Sequence, residues 1–347
     1  MKTLLIRFGS LGDLVLTLPA LRDLEASEPG PEHERHFLTL EPWSSLLAPI
    51  DTLRRVWSFP RGGDRRALTG LARALDDEGF DRVLDFHVNL RSRLLRRRLA
   101  TPPAGWWSTP RHDLRRRAML SRPGWPSAWR PRAPLTPVWQ RHRETVRRAF
   151  GTAYRQSAGC AGPVYPLDAE LRRSVDAELA SLGLATADDP VLVAPGAAWP
   201  AKTWPHVDAL VNGLRGWLPV LLVGGPDDRR LAASLAGEGV VDYTGDRPLP
   251  RVAAALSRGR VLVGGDSGLA HLAEAVGVPV LTLFGPTVPA FGFGPRLADS
   301  RVLERPLACR PCALHGEKPC RYGHADCLRA IDAPRVLAEL ERMGVLS

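Results

Sequence analysis

The chain has 347 residues, 44% of them apolar and 24% charged, and a formal net charge of +10. These proportions belong to soluble globular proteins and exclude a disordered, collagen-like or disulfide-dense chain; the length suits about two domains, each able to bury its own core. No apolar run reaches about 18 residues, which excludes a membrane-spanning helix, and the start MKTLLIRFGSLGD meets an acid at Asp13 with no long apolar core before it, so no signal peptide is expected.

Taken in chain order, the apolar run Thr3–Phe8 predicts a buried strand, Gly9–Asp13 a loop, and Leu14–Leu24 a helix kinked at Pro19. Strands follow at His36–Leu40, Arg55–Phe59 and Arg82–Phe86, with a helix over Arg65–Glu78 and further helices over Arg91–Leu99 and Gln140–Phe150. The stretch Thr101–Pro137, rich in Pro, Trp and Arg, takes no assignment, and Gln156–Pro166 reads as a linker. A second alternating series begins beyond it. Helices are expected over Ala169–Leu182, His206–Trp217, Asp227–Ala236, Pro250–Ser257 and Gly268–Val276, and strands over Val191–Ala194, Val220–Val223, Val261–Val263 and Val280–Phe284. Strands separated by helices make parallel sheets. Two such series joined by a linker predict two Rossmann-like domains, residues 1–165 and 166–347, facing a cleft. In such sheets ligands bind beyond the carboxyl ends of the strands, so the loops that follow strands are the places to look for chemistry.

The charge is uneven. Residues 1–165 hold 28 basic and 16 acidic residues, residues 166–347 hold 19 and 21, and the segment from Arg91 to Arg148 has 16 arginines against Asp113 and Glu144. The asymmetry implies an anionic partner for the first half: nucleic acid, anionic lipid or a phosphorylated substrate. Arginines at 91, 93, 96 and 97, and Trp106, Trp107, Trp125, Trp129 and Trp139 among them, suit a membrane interface or single-stranded nucleic acid; a merely solvated face is the plainer reading.

Four segments carry candidate chemistry. Gly9-Ser10-Leu11-Gly12-Asp13 joins the first strand to the first helix; its glycines allow a tight turn, and a carboxylate at a helix start is electrostatically favoured, as a helix cap or as a catalytic group. The spacing is not the GxGxxG of dinucleotide-binding loops, which weakens an NAD-dependent reading. Ala194–Pro205 contains Lys202, one of only three lysines in a chain that otherwise uses arginine; a compact ammonium suits a phosphate oxygen in a tight loop. Gly264–His271 (GGDSGLAH) again joins a strand to a helix. Its amides, the Ser267 hydroxyl and His271 one turn on can face a phosphate, although a helix cap and a core histidine would explain the same residues. Gly224–Asp228 and Gly285–Thr287 are further strand-end loops. The fourth segment, Cys309-x2-Cys312-x7-Cys320-x6-Cys327, reads as metal ligands or free thiols rather than disulfides in a chain expected to be cytosolic.

These motifs resemble glycosyltransferase family 9, the heptosyltransferases of lipopolysaccharide core synthesis. The resemblance rests on Leu4–Leu21, Val191–Pro205, Leu221–Asp228, Gly264–Thr287 and the cysteine-bearing tail Cys309–Leu328, which occur in the family's order over nearly the whole chain. It implies an α/β GT-B fold, with an N-terminal acceptor domain and a C-terminal nucleotide-sugar domain, and inverting transfer of a heptose from ADP-heptose to an inner-core glycolipid. Asp13 matches the family's general base. Lys202 matches its diphosphate-stabilising residue. Gly12, Thr203, Asp227, Asp266, Ser267, Gly268 and His271 complete the implied donor set, and Arg91, Arg93, Arg96 and Arg97 the acceptor or membrane surface. No metal or cofactor is expected in catalysis, with a structural zinc open at Cys309, Cys312, Cys320 and Cys327. A peripheral monomer at the cytoplasmic face of the inner membrane is expected, with no nucleic-acid partner. Another nucleotide sugar on the same fold, and a basic nucleic-acid-binding protein, stand as alternatives.

Overall fold

A computed structural model describes residues 1–99, 105–121 and 130–346. Packing divides the chain into two units: residues 1–111, 138–160 and 164–166, and residues 112–137, 161–163 and 167–347.

The first unit is built from β1 (Lys2–Ile6), α1 (Leu11–Val15), α2 (Leu18–Ser27), β2 (Glu34–Leu40), α3 (Glu41–Leu47), β3 (Arg55–Phe59), α4 (Arg65–Glu78), β4 (Arg82–Asp85), α5 (Leu90–Arg96) and β5 (Trp106–Ser108). The next helix, α6 (Asp113–Met119), groups with the second unit, whereas α7 (Val138–Phe150) returns to the first. The sheet is parallel in the order β3-β2-β1-β4-β5. Its central strand is wholly apolar from Leu4 to Ile6 because helices cover both faces. Pro19 does not kink a long helix. A break at Leu16–Thr17 separates two helices, and Pro19 falls in the first turn of α2, where its missing N–H costs nothing. Asp23, fully buried on α2, receives a two-pronged ion pair from Arg143 of α7 (2.7 and 3.1 Å), the Tyr154 hydroxyl (2.5 Å) and the Ser157 amide (2.8 Å).

The second unit continues with α8 (Ala169–Ser181), β6 (Val191–Val193), α9 (Val207–Leu214), β7 (Val220–Leu222), α10 (Arg229–Leu235), β8 (Val240–Asp242), α11 (Leu249–Leu256), β9 (Val261–Gly265), α12 (Gly268–Ala275), β10 (Val280–Phe284), β11 (Arg301–Glu304), α13 (Asp326–Arg329) and α14 (Ala333–Arg342). Its six-stranded sheet, order β11-β10-β9-β6-β7-β8, is parallel throughout. The order reverses between β6 and β9, the switch point at which such sheets bind ligands. Within the Pro/Trp/Arg stretch, Trp106–Ser108 is β5 of the first unit, while the described residues from His112 on pack on this unit. Met119 and Leu135 share a small core with Phe291, Arg116 lies over the rings of Phe291 and Phe293, and Arg130 donates to the carbonyls of Arg310 and Ala308. Trp125 and Trp129 lie outside the described residues. Among the described residues no helix is long and apolar enough to cross a membrane.

Candidate active site

In the first unit, Asp13 stands at the third position of α1, with Ser10 as the cap residue. Gly9 makes the preceding turn at φ +152°, and a Cβ there would lie 2.9 Å from Trp43 Nε1, so only glycine fits. The Asp13 Oδ2 accepts from the Ser10 amide (3.2 Å) and hydroxyl (3.1 Å); Oδ1 is paired with Arg7 Nη2 at 2.7 Å. Burial alone would push this carboxyl up. The Arg7 guanidinium, the Ser10 amide and, more weakly, His142 outweigh it and hold the group down at about 2. Capping is thus part of what Asp13 does, but the ion pair goes beyond any cap.

Sequence reasoning missed the residues around it. His87 and Asp85 come from the end of β4, and Asp85 accepts from the amides of His87 and Val88 (2.9 and 2.8 Å). His142 reaches in from α7 and donates from Nδ1 to the Leu16 carbonyl (3.0 Å). Both imidazoles are pushed down to about 3, by burial first and the Arg7 charge second, so they are neutral at pH 7. The signal that could have found Asp85 and His87 is position alone: Asp85 closes, and His87 follows, a strand adjacent to β1 in the sheet.

In the second unit the loops after four neighbouring strands converge. Lys202, after β6, places Nζ 2.6 Å from Asp266 Oδ2 and 3.2 Å from the Asp266 carbonyl, after β9. Thr287, after β10, donates to the same Asp266 oxygen (2.9 Å). Asp228, after β7, accepts from the Gly225 amide (2.8 Å) and lies over the loops of β6 and β7; a Cβ at Gly224 would come within 2.4 Å of it, and one at Gly196 would overlap it. Asp227 points out and is exposed, so of the two acids Asp228 is the one turned into the loops. Ser267 caps α12, and its buried hydroxyl has no hydrogen-bond partner among the described residues. Together with Asp266, buried His271 and Phe293 it lines a small recess at the start of that helix. A helix N-terminus with an unused hydroxyl beside an ammonium is a binding place for an anion. Thr203 follows Lys202 in its turn, and Gly268 opens α12.

The cysteine segment lies against these loops. Arg310, buried, donates to the carbonyls of Phe284 and Thr287 and pairs with Glu304, and the Cys312 amide donates to Pro286. Gly316, at φ +85°, comes so close to the Lys202 stem that a Cβ would sit 2.9 Å from Cγ. Cys309, Cys312, Cys320 and Cys327 are free thiols. Burial pushes Cys312 up and Cys327 up to about 11, whereas at Cys320 four backbone amides outweigh burial and lower it. Among the described residues no three of these sulfurs lie within metal-ligating reach of one another; the one group that does is Glu34, His36 and Glu78. That group is already satisfied: Trp57 donates to His36 Nδ1 (3.1 Å) and the Lys2 ammonium holds Glu78 (2.7 Å). The arginines at 91, 93, 96 and 97, on α5 and its C-cap, divide. Arg91 is half-buried over Phe59, while Arg93, Arg96 and Arg97 are exposed.

Two parallel α/β units, the second with its candidate site at the sheet's switch point, make up the GT-B architecture. The model of glycosyltransferase family 9 (heptosyltransferase) matches residues 68–323. Lipopolysaccharide heptosyltransferase 1 of Pseudomonas aeruginosa is 30% identical over 99% of this chain and 98% of its own length. A family 9 glycosyltransferase from Veillonella parvula superposes with a TM-score of 0.76 over 100% of this chain and 98% of that one, at 21% identity. The heptosyltransferase WaaC of E. coli, solved with ADP-2-deoxy-2-fluoro heptose, does so with a TM-score of 0.67 over 99% of both, at 20% identity. The chain belongs to glycosyltransferase family 9, and it is an enzyme of glycosyl transfer. Membership decides against the NAD-dependent and nucleic-acid-binding readings of its sequence.

Proposed function

We propose that the chain transfers a heptose from ADP-heptose to the inner core of lipopolysaccharide, inverting the anomeric carbon. Relatives named lipopolysaccharide heptosyltransferase 1 support the heptose and the lipopolysaccharide acceptor. The observation that carries it is the meeting of Lys202, Asp266 and the unpartnered Ser267 hydroxyl at the start of α12. An ammonium, the amides at the helix start and a hydroxyl there suit a diphosphate, with Thr203, Asp228, Gly268 and His271 of the same unit completing the donor set. Asp13 serves as general base and takes the proton of the acceptor hydroxyl as it attacks. Residues 1–165 take the acceptor and 166–347 the donor. The arginines at 91, 93, 96 and 97 favour an anionic glycolipid at the cytoplasmic face of the inner membrane, where the chain docks peripherally as a monomer.

The four cysteines offer an all-thiolate donor set for a structural zinc, and the lowered Cys320 thiol suits it; Cys312 and Cys327 would have to lose protons and the segment draw in around the ion. Elemental analysis of the purified protein tests this, and sedimentation tests the monomer. The function itself is tested by titrating ADP into wild type and Lys202→Ala, and by mass spectrometry of a heptose-free lipopolysaccharide acceptor incubated with ADP-heptose. Tight ADP binding that Lys202→Ala weakens, with one heptose added to the acceptor, is expected. Product formed only from another nucleotide sugar overturns the donor assignment.

A further inference from the structure

Arg7 lies just beyond β1, one arginine among 44. Its Nε donates to the Gly9 carbonyl (3.1 Å), Nη1 to the Phe86 carbonyl (2.6 Å), and Nη2 meets Asp13 Oδ1 at 2.7 Å. One planar guanidinium therefore ties the loop after β1 to the end of β4 and to the carboxylate, a three-way geometry that a lysine cannot copy. The other Asp13 oxygen already accepts twice from Ser10. A carboxylate has about four acceptor sites. Three are filled among the described residues, and the fourth, on Oδ1, is open; the side chain is still 21% exposed.

We propose that Arg7 is a positioning residue for glycosyl transfer, fixing the Asp13 carboxylate so that a single lone pair of Oδ1 meets the acceptor hydroxyl. The inference rests on Asp13 being the general base. In the transfer step the hydroxyl donates to Oδ1. As its oxygen bonds to the anomeric carbon, the bond from that carbon to the diphosphate breaks, and the electron pair leaves on the diphosphate. The proton passes to Oδ1 and leaves later to water. The Arg7 charge also sets the electrostatics of the surroundings. Facing it are His87 and Asp85 from the end of β4, with Arg91 and Arg111 near His87, and His142 from α7, with Arg141 beside it. With Arg7 in place Asp13 stays ionised and both histidines stay neutral, so none of the three limits the reaction near pH 7.

Kinetics of the full chain as a function of pH test this with Arg7→Gln, Arg7→Lys and Asp13→Asn. Arg7→Gln removes the charge. The acid limb of its kcat/KM profile is expected to rise by about 1–3 pH units, and kcat to fall on the order of 100-fold through misplacement of the base, with the KM for donor unchanged. Arg7→Lys keeps the charge but loses the fork, so kcat falls while the limb stays low. A purely structural role would not separate the two variants. Wild-type kcat in both variants, or equal losses with the limb unmoved in both, overturns the proposal. Where Arg7→Gln does not fold, by circular dichroism, Arg7→Lys alone decides: an undiminished kcat overturns it. Asp13→Asn separates the two failures. Full turnover there removes the base reading itself, whereas lost turnover there beside wild-type behaviour of the Arg7 variants removes only the role of Arg7.

Discussion

Thr287→Val keeps the shape of a side chain that is only 2% exposed and deletes one hydroxyl. That hydroxyl donates at 2.9 Å to Asp266 Oδ2, the oxygen that also holds the Lys202 ammonium at 2.6 Å. A hydrogen bond to a charged group contributes about 1.5–3 kcal/mol. Lys202 continues to satisfy the carboxylate, so the lower end applies, about 1.5 kcal/mol. In a unit of this size that is a fall in Tm of about 3–6 °C, at roughly 2–4 °C per kcal/mol. The loss also acts on function, because Thr287 holds Asp266 and Asp266 orients the ammonium. If the whole 1.5 kcal/mol reaches the bound state, ADP affinity falls about tenfold. Differential scanning calorimetry reads the first effect and isothermal titration the second. A Thr287→Val protein with wild-type Tm and wild-type ADP affinity would refute the reasoning that links β10, β9 and Lys202.

Ser267→Ala removes a buried hydroxyl that has no partner among the described residues, so the unliganded protein should unfold at the same temperature or higher, while ADP binds more weakly; a fall in Tm with unchanged ADP affinity would mark the hydroxyl as structural. Asp23→Ala removes the buried carboxylate that holds Arg143, the Tyr154 hydroxyl and the Ser157 amide, and should cost about 3–5 kcal/mol by urea denaturation; a loss below about 1 kcal/mol contradicts the buried pairing. His142 is neutral in the folded chain down to about pH 3, whereas an unfolded histidine takes its proton near 6.5. Between those values the unfolded state binds more protons, so stability falls with acidification by up to about 1.4 kcal/mol per pH unit for this one group. His142→Gln should flatten that slope between pH 6 and 4 by about one proton; an unchanged slope refutes the buried neutral state.

The strand-end loops of the second unit were legible because Gly, Asp and Ser clusters break β-branched runs, and such breaks read directly as turns. Lys202 stood out by rarity, and Asp266 was named with it. Their pairing was not legible, since 64 residues separate them and only the sheet order brings β6 beside β9. Arg7 was hidden by the opposite circumstance: an arginine in an arginine-rich chain carries no contrast, and it follows an apolar strand as if part of it. His87 and His142 are single polar residues on three-dimensionally adjacent elements, invisible to periodicity. The overlooked α3 begins Glu-Pro after a strand, which reads as a turn, although proline in a first helical turn is favourable. β5, β8 and β11 are only three or four residues long, too short for a period to register. The packing of α6 on the second unit rests on Met119 and Arg116 meeting Phe291 and Phe293, contacts that no local pattern encodes.

The most direct test of inverting heptose transfer with Asp13 as base is single-turnover product formation by Asp13→Asn, with ADP-heptose and a heptose-free acceptor at saturation. The Asn variant should bind ADP as wild type does and form product on the order of 100-fold or more slowly, with the wild type giving the inverted anomer. Wild-type turnover by Asp13→Asn, or a retained anomer from the wild type, would contradict it.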